Sequence, residues 1–236
     1  MNFKKLDIEK TILFILCLSF FIGIWHAFPM LDIIHDEMYF VGGVLRAMEN
    51  HTIISAVGDV PYGTLTYILS YILMVPFLLV LLLFFKFDVV KLKLFLVESP
   101  HLGYFVPRFL NALIAMLALF MFNNFLKKQI EDKRARLCLL ILLFTNMITS
   151  IIFHTGKMWP LSMFLVLVSF FYLFKTIDDK VSGGFYVKKN MFLSIFFAFL
   201  SLSNFPLNFY ALINIPIFVW FFRKDKKIIF DIAKYS

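Results

Sequence analysis

Charge is what this chain of 236 residues is short of. Only 16% of it is Asp, Glu, Lys or Arg, where an ordinary soluble domain carries about a quarter. That is too little polar surface to cover a fold in water, so a water-soluble globule is excluded. Cysteine is nearly absent: Cys17 and Cys138 are the only two. Each sits inside an apolar run and not in a loop, which excludes a disulfide frame or a thiolate metal site. There is no phosphate-binding P-loop, dinucleotide fingerprint or zincin helix, so no soluble cofactor is expected. Neither a repeat of 20–50 residues nor a low-complexity linker is visible, and a single domain over 1–236 is expected. The basic excess, net +8, falls in clusters between apolar runs and not on a face interleaved with stacking aromatics. It therefore reads as a topology signal, with no nucleic-acid partner.

What the chain has in quantity is hydrocarbon. Hydrophobic residues are 61% of it, Phe alone occurs 33 times, and the mean hydropathy is +0.88. Its solvent is the lipid bilayer. The apolar runs are 11–28, 62–85, 102–126, 137–153, 158–174, 190–203 and 206–222, to be set against the roughly 20 residues one crossing takes. The fold class expected is an all-α, polytopic membrane helix bundle of six or seven spans. No small-x-small cleavage site follows the first run, so it reads as a retained span and not a signal peptide.

Positive charge favours six crossings narrowly. If the run at 62–85, interrupted by Pro76, dips in and returns, the cytoplasmic segments hold Lys4, Lys5 and Lys10; Lys127 to Arg136; Lys175 to Lys189; and Arg223 to Lys234. Arg46, Lys86, Lys91, Lys93, Arg108 and Lys157 are then left outside. This places the N-terminus in the cytoplasm of a multi-pass cell-membrane protein. It also makes 29–103 a long outer segment with juxtamembrane or re-entrant helices. Ser203 to Pro206 reads as the turn of a helical hairpin. A stop after the basic stretch Arg223–Lys234, with no closing span, is what an N-terminal fragment would show.

Two segments carry groups able to do chemistry. The first is His35-Asp36-Glu37-Met-Tyr39-Phe-Val-Gly-Gly43-Val-Leu-Arg46. In a helix Asp36, Tyr39, Gly43 and Arg46 share one face, while Asp36 and Glu37 point about 100° apart, so one can act and the other support it. The plainer alternative is that Asp36 or Glu37 caps a surface helix. The second is His154-Thr-Gly156-Lys157-Met-Trp159, a turn on the same outer side. It supplies a histidine and a cation, unless Lys157 only snorkels and Trp159 only joins the aromatic belt. Arg108, after Pro107 at the opening of a span, either holds a phosphate or anchors a helix end. Asp59-Val-Pro61-Tyr62-Gly63 is a turn before a tyrosine-bearing run. The histidines show no ligand spacing, and no metal is expected.

Basic N-terminus, span, acidic pair Asp36-Glu37, Asp59-Val-Pro61-Tyr62-Gly63 and Pro107-Arg108-Phe-Leu-Asn111 come in an order that resembles the GT-C membrane glycosyltransferases. The nearest branch is the polyprenyl- or dolichyl-phosphate-sugar group of protein mannosyltransferases and lipid A aminoarabinose transferases. Pro61-Tyr62 stands where that family commonly has paired prolines, and its members generally run longer. The resemblance implies transfer of a sugar from a lipid-phosphate carrier to an acceptor protein, glycan or lipid, with Asp36 as catalytic carboxylate and Glu37 as its support. Tyr39, Arg46, Asp59, Arg108, His154 and Lys157 are the candidates for holding donor and phosphate. A small transporter or lipid-handling protein, and an inactive truncated remnant of the enzyme, are the competing readings.

Overall fold

In the computed structural model the residues described are 7–25, 37–52, 64–99, 101–181 and 187–222, with the backbone alone for 38–41. They form ten α-helices and one 3-10 helix. The candidate residues Asp36 and Asp59, and the side chain of Tyr39, lie outside the described residues. The helices fall into two compact units, 1–160 and 161–236.

Short polar side chains start the helices of the first unit. Asp7 caps α1 (Ile8–Ser19), Asp88 caps α4 (Val89–Glu98), Asp132 caps α6 (Lys133–Thr145) and Asn146 caps α7 (Met147–Phe153). Each accepts a backbone N–H that the first turn leaves without a carbonyl partner. α2 (Glu37–Glu49), α3 (Thr64–Phe84) and α5 (His101–Gln129) complete the unit. α5 is its axis, in contact with α1, α2, α3, α6 and α7. Ala112, Ala115 and Ala118 are wholly buried along α5, and such small side chains let neighbouring backbones approach closely, as membrane helices require. α2 and α4 are short and one-sided: Val44, Ala47 and Leu92 are buried, while Arg46, Glu49, Lys91 and Lys93 are exposed.

In the second unit α8 (Trp159–Val181) is followed by α9 (Val187–Asn204), a 3-10 helix over Pro206–Ile213, and α10 (Asn214–Phe221). Phe205 is extended, and the segment after it packs back on α9, giving the hairpin the turn residues lead one to expect. Leu173, Met191, Ile195, Phe218 and Phe222 form its apolar core. Two polar seams cross it, Ser162–Ser201–Asn204–Asn208 and Ser169–Ser194–Asn214.

Among the described residues three helices, α3, α5 and α8, are long and apolar enough to cross a membrane, and α6 with α7 makes a fourth if that bent pair is one span. This is the helix set of a multi-pass membrane protein. The seven apolar runs do not map one for one onto long helices. The run at 11–28 yields an α-helix of 12 residues and then turns through Gly23 at φ +86, a backbone region that glycine enters freely. The run at 137–153 breaks by 61° where Asn146 caps a new helix. The run at 206–222 is divided between a 3-10 and an α-helix. The run expected to dip and return is instead one helix of 21 residues, α3, through which Pro76 passes without ending it. Proline lacks the N–H that would reach the Ile72 carbonyl, yet the helix continues on both sides of it. Only 17% of its apolar window is buried, so most of α3 is surface suited to lipid.

Candidate functional site

Glu37 opens α2 and is 1% exposed. An isolated carboxylate at that depth would be far too costly, so it must be paired and hydrogen-bonded. Arg108, 3% exposed in the second turn of α5, provides the pair. Its Nε donates to Glu37 Oε1 and its Nη2 to Oε2, both at 2.8 Å. This is the two-pronged guanidinium–carboxylate fork, the strongest such geometry. The guanidinium also lies 5.2 Å from the Tyr104 ring centroid. Glu37 Oε1 accepts a third bond, from the backbone N–H of Gly156, at 2.6 Å. Glu37 at the start of α2 and Gly156 in the His154–Lys157 turn, 119 residues apart, thus meet at one carboxylate.

The turn is held from behind. Asn111, one helical turn after Arg108 and wholly buried, donates through Nδ2 to the carbonyls of Thr155 and of Lys157, the latter at 2.8 Å. Its Oδ1 has no hydrogen-bond donor among the described residues. Thr155 Oγ1 donates to the Ile152 carbonyl at 3.0 Å. His154 sets one ring nitrogen 2.6 Å from the Ser150 carbonyl and the other 3.0 Å from the Ser19 carbonyl, joining the end of α1 to the turn. Lys157 is 2% exposed, with Nζ 4.0 Å from the centroid of Trp159, a distance at which an ammonium is attracted by the indole face.

Of the residues singled out in the sequence, Glu37, Arg108, His154 and Lys157 come together here. Arg108 does not open a helix at a boundary; it lies inside α5, and the fork that would grip a phosphate is engaged by Glu37. Arg46 is exposed in the last turn of α2, about 13 Å along the helix from Glu37 at the standard rise. Gly43 beside it is buried, so the face drawn through Gly43 and Arg46 is not a uniform one. Asn111 and the Gly156 N–H are the parts that reading the sequence missed as site members. The available signal was Arg108 and Asn111 at i, i+3 in an otherwise apolar stretch, since polar groups inside membrane helices rarely stand there without a task. Among the described residues no three His, Cys, Asp or Glu side chains are grouped to hold a metal ion.

The arrangement can fix the start of α2 against the turn through Glu37, and the same turn carries the buried Lys157 ammonium over the Trp159 ring. Compared with protein-family models, with curated proteins and with solved structures, the chain matches none.

Proposed function

We propose that this chain is a membrane glycosyltransferase that moves a sugar from a polyprenyl-phosphate carrier to an acceptor hydroxyl at the outer face of the cell membrane, with inversion at the anomeric carbon. Asp36 is the base: it takes the proton of the acceptor hydroxyl as that oxygen attacks the anomeric carbon. The bond from that carbon to the phosphate oxygen breaks, and the phosphate leaves with the electron pair. Lys157 stabilises the charge that develops on it, in surroundings where water screens little. Glu37 is a positioning residue, because both of its carboxylate oxygens are already engaged, by the Arg108 fork and the Gly156 N–H.

The observation that carries this reading is the 2.6 Å bond from the Gly156 N–H to Glu37 Oε1. It joins, through the immediate neighbour of Asp36 and the immediate neighbour of Lys157, the two segments in which an acid and a cation were expected to share a lipid phosphate. The order of motifs along the chain adds the resemblance to the GT-C enzymes.

The test is transfer by purified protein from a panel of radiolabelled polyprenyl-phosphate sugars into a membrane extract containing acceptors. Label should move with the wild type and not with Asp36→Asn. Absence of transfer by the wild type across the panel, or transfer surviving Asp36→Asn, overturns the proposal. Single cysteines at 59 and 156 should label from the same, outer side.

A further inference from the structure

Within residues 161–236 an open cleft of about 260 Å³ lies where α8 ends and α9 begins, lined by Tyr172, Lys175, Asp179, Lys189, Asn190 and Leu193. At about 30 Å³ per water, it has room for a phosphodiester group and several waters. We propose that this cleft binds the headgroup of an anionic phospholipid, with the phosphate between Lys175 and Lys189 and an acyl chain along α9.

Three observations converge on that ligand. The first is charge. Lys175 and Lys189 are exposed and make no ion pair among the described residues, so two cations face one cleft. The one carboxylate lining it, Asp179, accepts a 2.6 Å bond at Oδ2 from the Asn190 amide, and the two lysines still leave the lining with an excess of positive charge. Lys175 Nζ is 5.6 Å from the Phe171 ring centroid and 6.0 Å from that of Tyr172; the aromatic wall helps to fix where its charge sits.

The second is place. α8 is apolar enough to span from Trp159 onward, and its polar end begins at Lys175. A lysine at such an end reaches the level of the phosphates, where anionic lipids attract cations.

The third is the surface leading away from the cleft. Phe192 and Phe196, one turn apart on α9, stack at 6.0 Å and are both exposed, as is Phe199. A free phosphate ion has no use for that phenyl track, whereas a lipid chain does. A choline headgroup would set its own cation among the lysines, so phosphatidylglycerol is favoured over phosphatidylcholine.

The inference does not depend on the glycosyltransferase reading, and its test needs no turnover. Delipidated full-length protein is titrated with phosphatidylglycerol, phosphatidylcholine or inorganic phosphate, and bound lipid is counted by native mass spectrometry. Phosphatidylglycerol should be retained over phosphatidylcholine. Lys175→Gln and Lys189→Gln should each weaken it about fivefold, with unchanged thermal melting, and the double Arg variant should keep it. Lys91→Gln with Lys93→Gln, which removes equal charge from α4, should leave binding unaltered. Equal retention of both lipids, or full retention by the Lys175→Gln, Lys189→Gln protein, overturns the proposal. Displacement of lipid by inorganic phosphate at matching concentration also overturns it, marking the cleft as a site for the free ion.

Discussion

Glu37 and Arg108, 71 positions apart in the chain, form a buried two-pronged ion pair with both N···O distances at 2.8 Å. Removing one partner leaves the other charged and dry, so Arg108→Met is expected to cost about 3–5 kcal/mol. Adding Glu37→Gln should restore part of that loss, because a glutamine oxygen still accepts the Gly156 N–H while the stranded charge is gone. Thermal unfolding in detergent of the two single variants and the double variant checks this. If the double variant is no more stable than Arg108→Met, the pair is not the strut between α2 and α5.

The buried ammonium of Lys157 lies 4.0 Å from the Trp159 ring centroid, and the two residues should affect the proposed reaction differently. Lys157→Met is expected to lower kcat about a hundredfold, the usual loss when one group stabilising a developing charge is removed. Trp159→Phe keeps a weaker aromatic face and should cause a much smaller loss, again in kcat and not in KM. Turnover measured over a range of donor concentrations separates the two parameters. A Lys157→Met enzyme with normal kcat would leave the leaving phosphate without its stated partner.

The membrane class could be read from composition alone, because a chain with so little charge has no other way to cover itself. The segments of the site were also visible: Glu37, Arg108 and the His154–Lys157 turn are polar interruptions in apolar surroundings. Their pairing was not. Which cation meets Glu37 depends on how α2, α5 and the turn pack, and no local spacing encodes that. Helix breaks inside apolar runs were missed for a related reason. Hydropathy averages over a window, whereas the 61° bend at Asn146 is made by one side chain accepting from the Thr149 N–H and donating to the Leu143 carbonyl. An Asn in the middle of such a run, able to cap a new helix, is the sign to look for. Pro76 misled in the other direction, since one missing bond does not end a helix of 21 residues.

Acid should loosen the first unit at the other end of α1. Glu9 takes ion pairs from Lys127 at 2.8 Å, Arg136 at 3.2 Å and Lys133 at 3.4 Å, drawing α1, α5 and α6 together. The hydrogen bond from Lys127 holds the Glu9 carboxyl below the usual glutamate range, with the nearby Lys127 and Arg136 charges adding to it. A carboxyl lowered in the folded state stabilises that state above its unfolded value, about 4.3. The stabilisation falls away as pH drops below that value, through the folded one. The melting temperature should therefore fall more steeply below pH 4.5 in the wild type than in Glu9→Gln, which has already lost the contribution. Parallel pH curves for the two proteins would remove Glu9 from this role.

Asn214 is wholly buried, and its Nδ2 donates to Ser169 Oγ at 2.6 Å and to Ser194 Oγ at 2.8 Å. The two hydroxyls are already committed as donors: Ser169 Oγ gives to the Ser194 carbonyl at 2.7 Å, and Ser194 Oγ to the Ser169 carbonyl at 2.9 Å. Both serines thus need a donor, and only an amide nitrogen at 214 supplies two. Asn214→Leu should cost about 1–2 kcal/mol, since interhelical hydrogen bonds in membrane proteins contribute modestly, roughly 0.6 kcal/mol each on average. Asn214→Asp is the sharper variant. A carboxylate cannot donate, so it faces two oxygen lone pairs with a buried charge unless a serine hydroxyl abandons a carbonyl to reach it, and either arrangement leaves a buried group unsatisfied. Melting in detergent near neutral pH should rank wild type above Asn214→Leu and Asn214→Leu above Asn214→Asp. An aspartate variant as stable as the wild type would mean that the seam is held by the serine hydroxyls alone, and that the amide is not its donor.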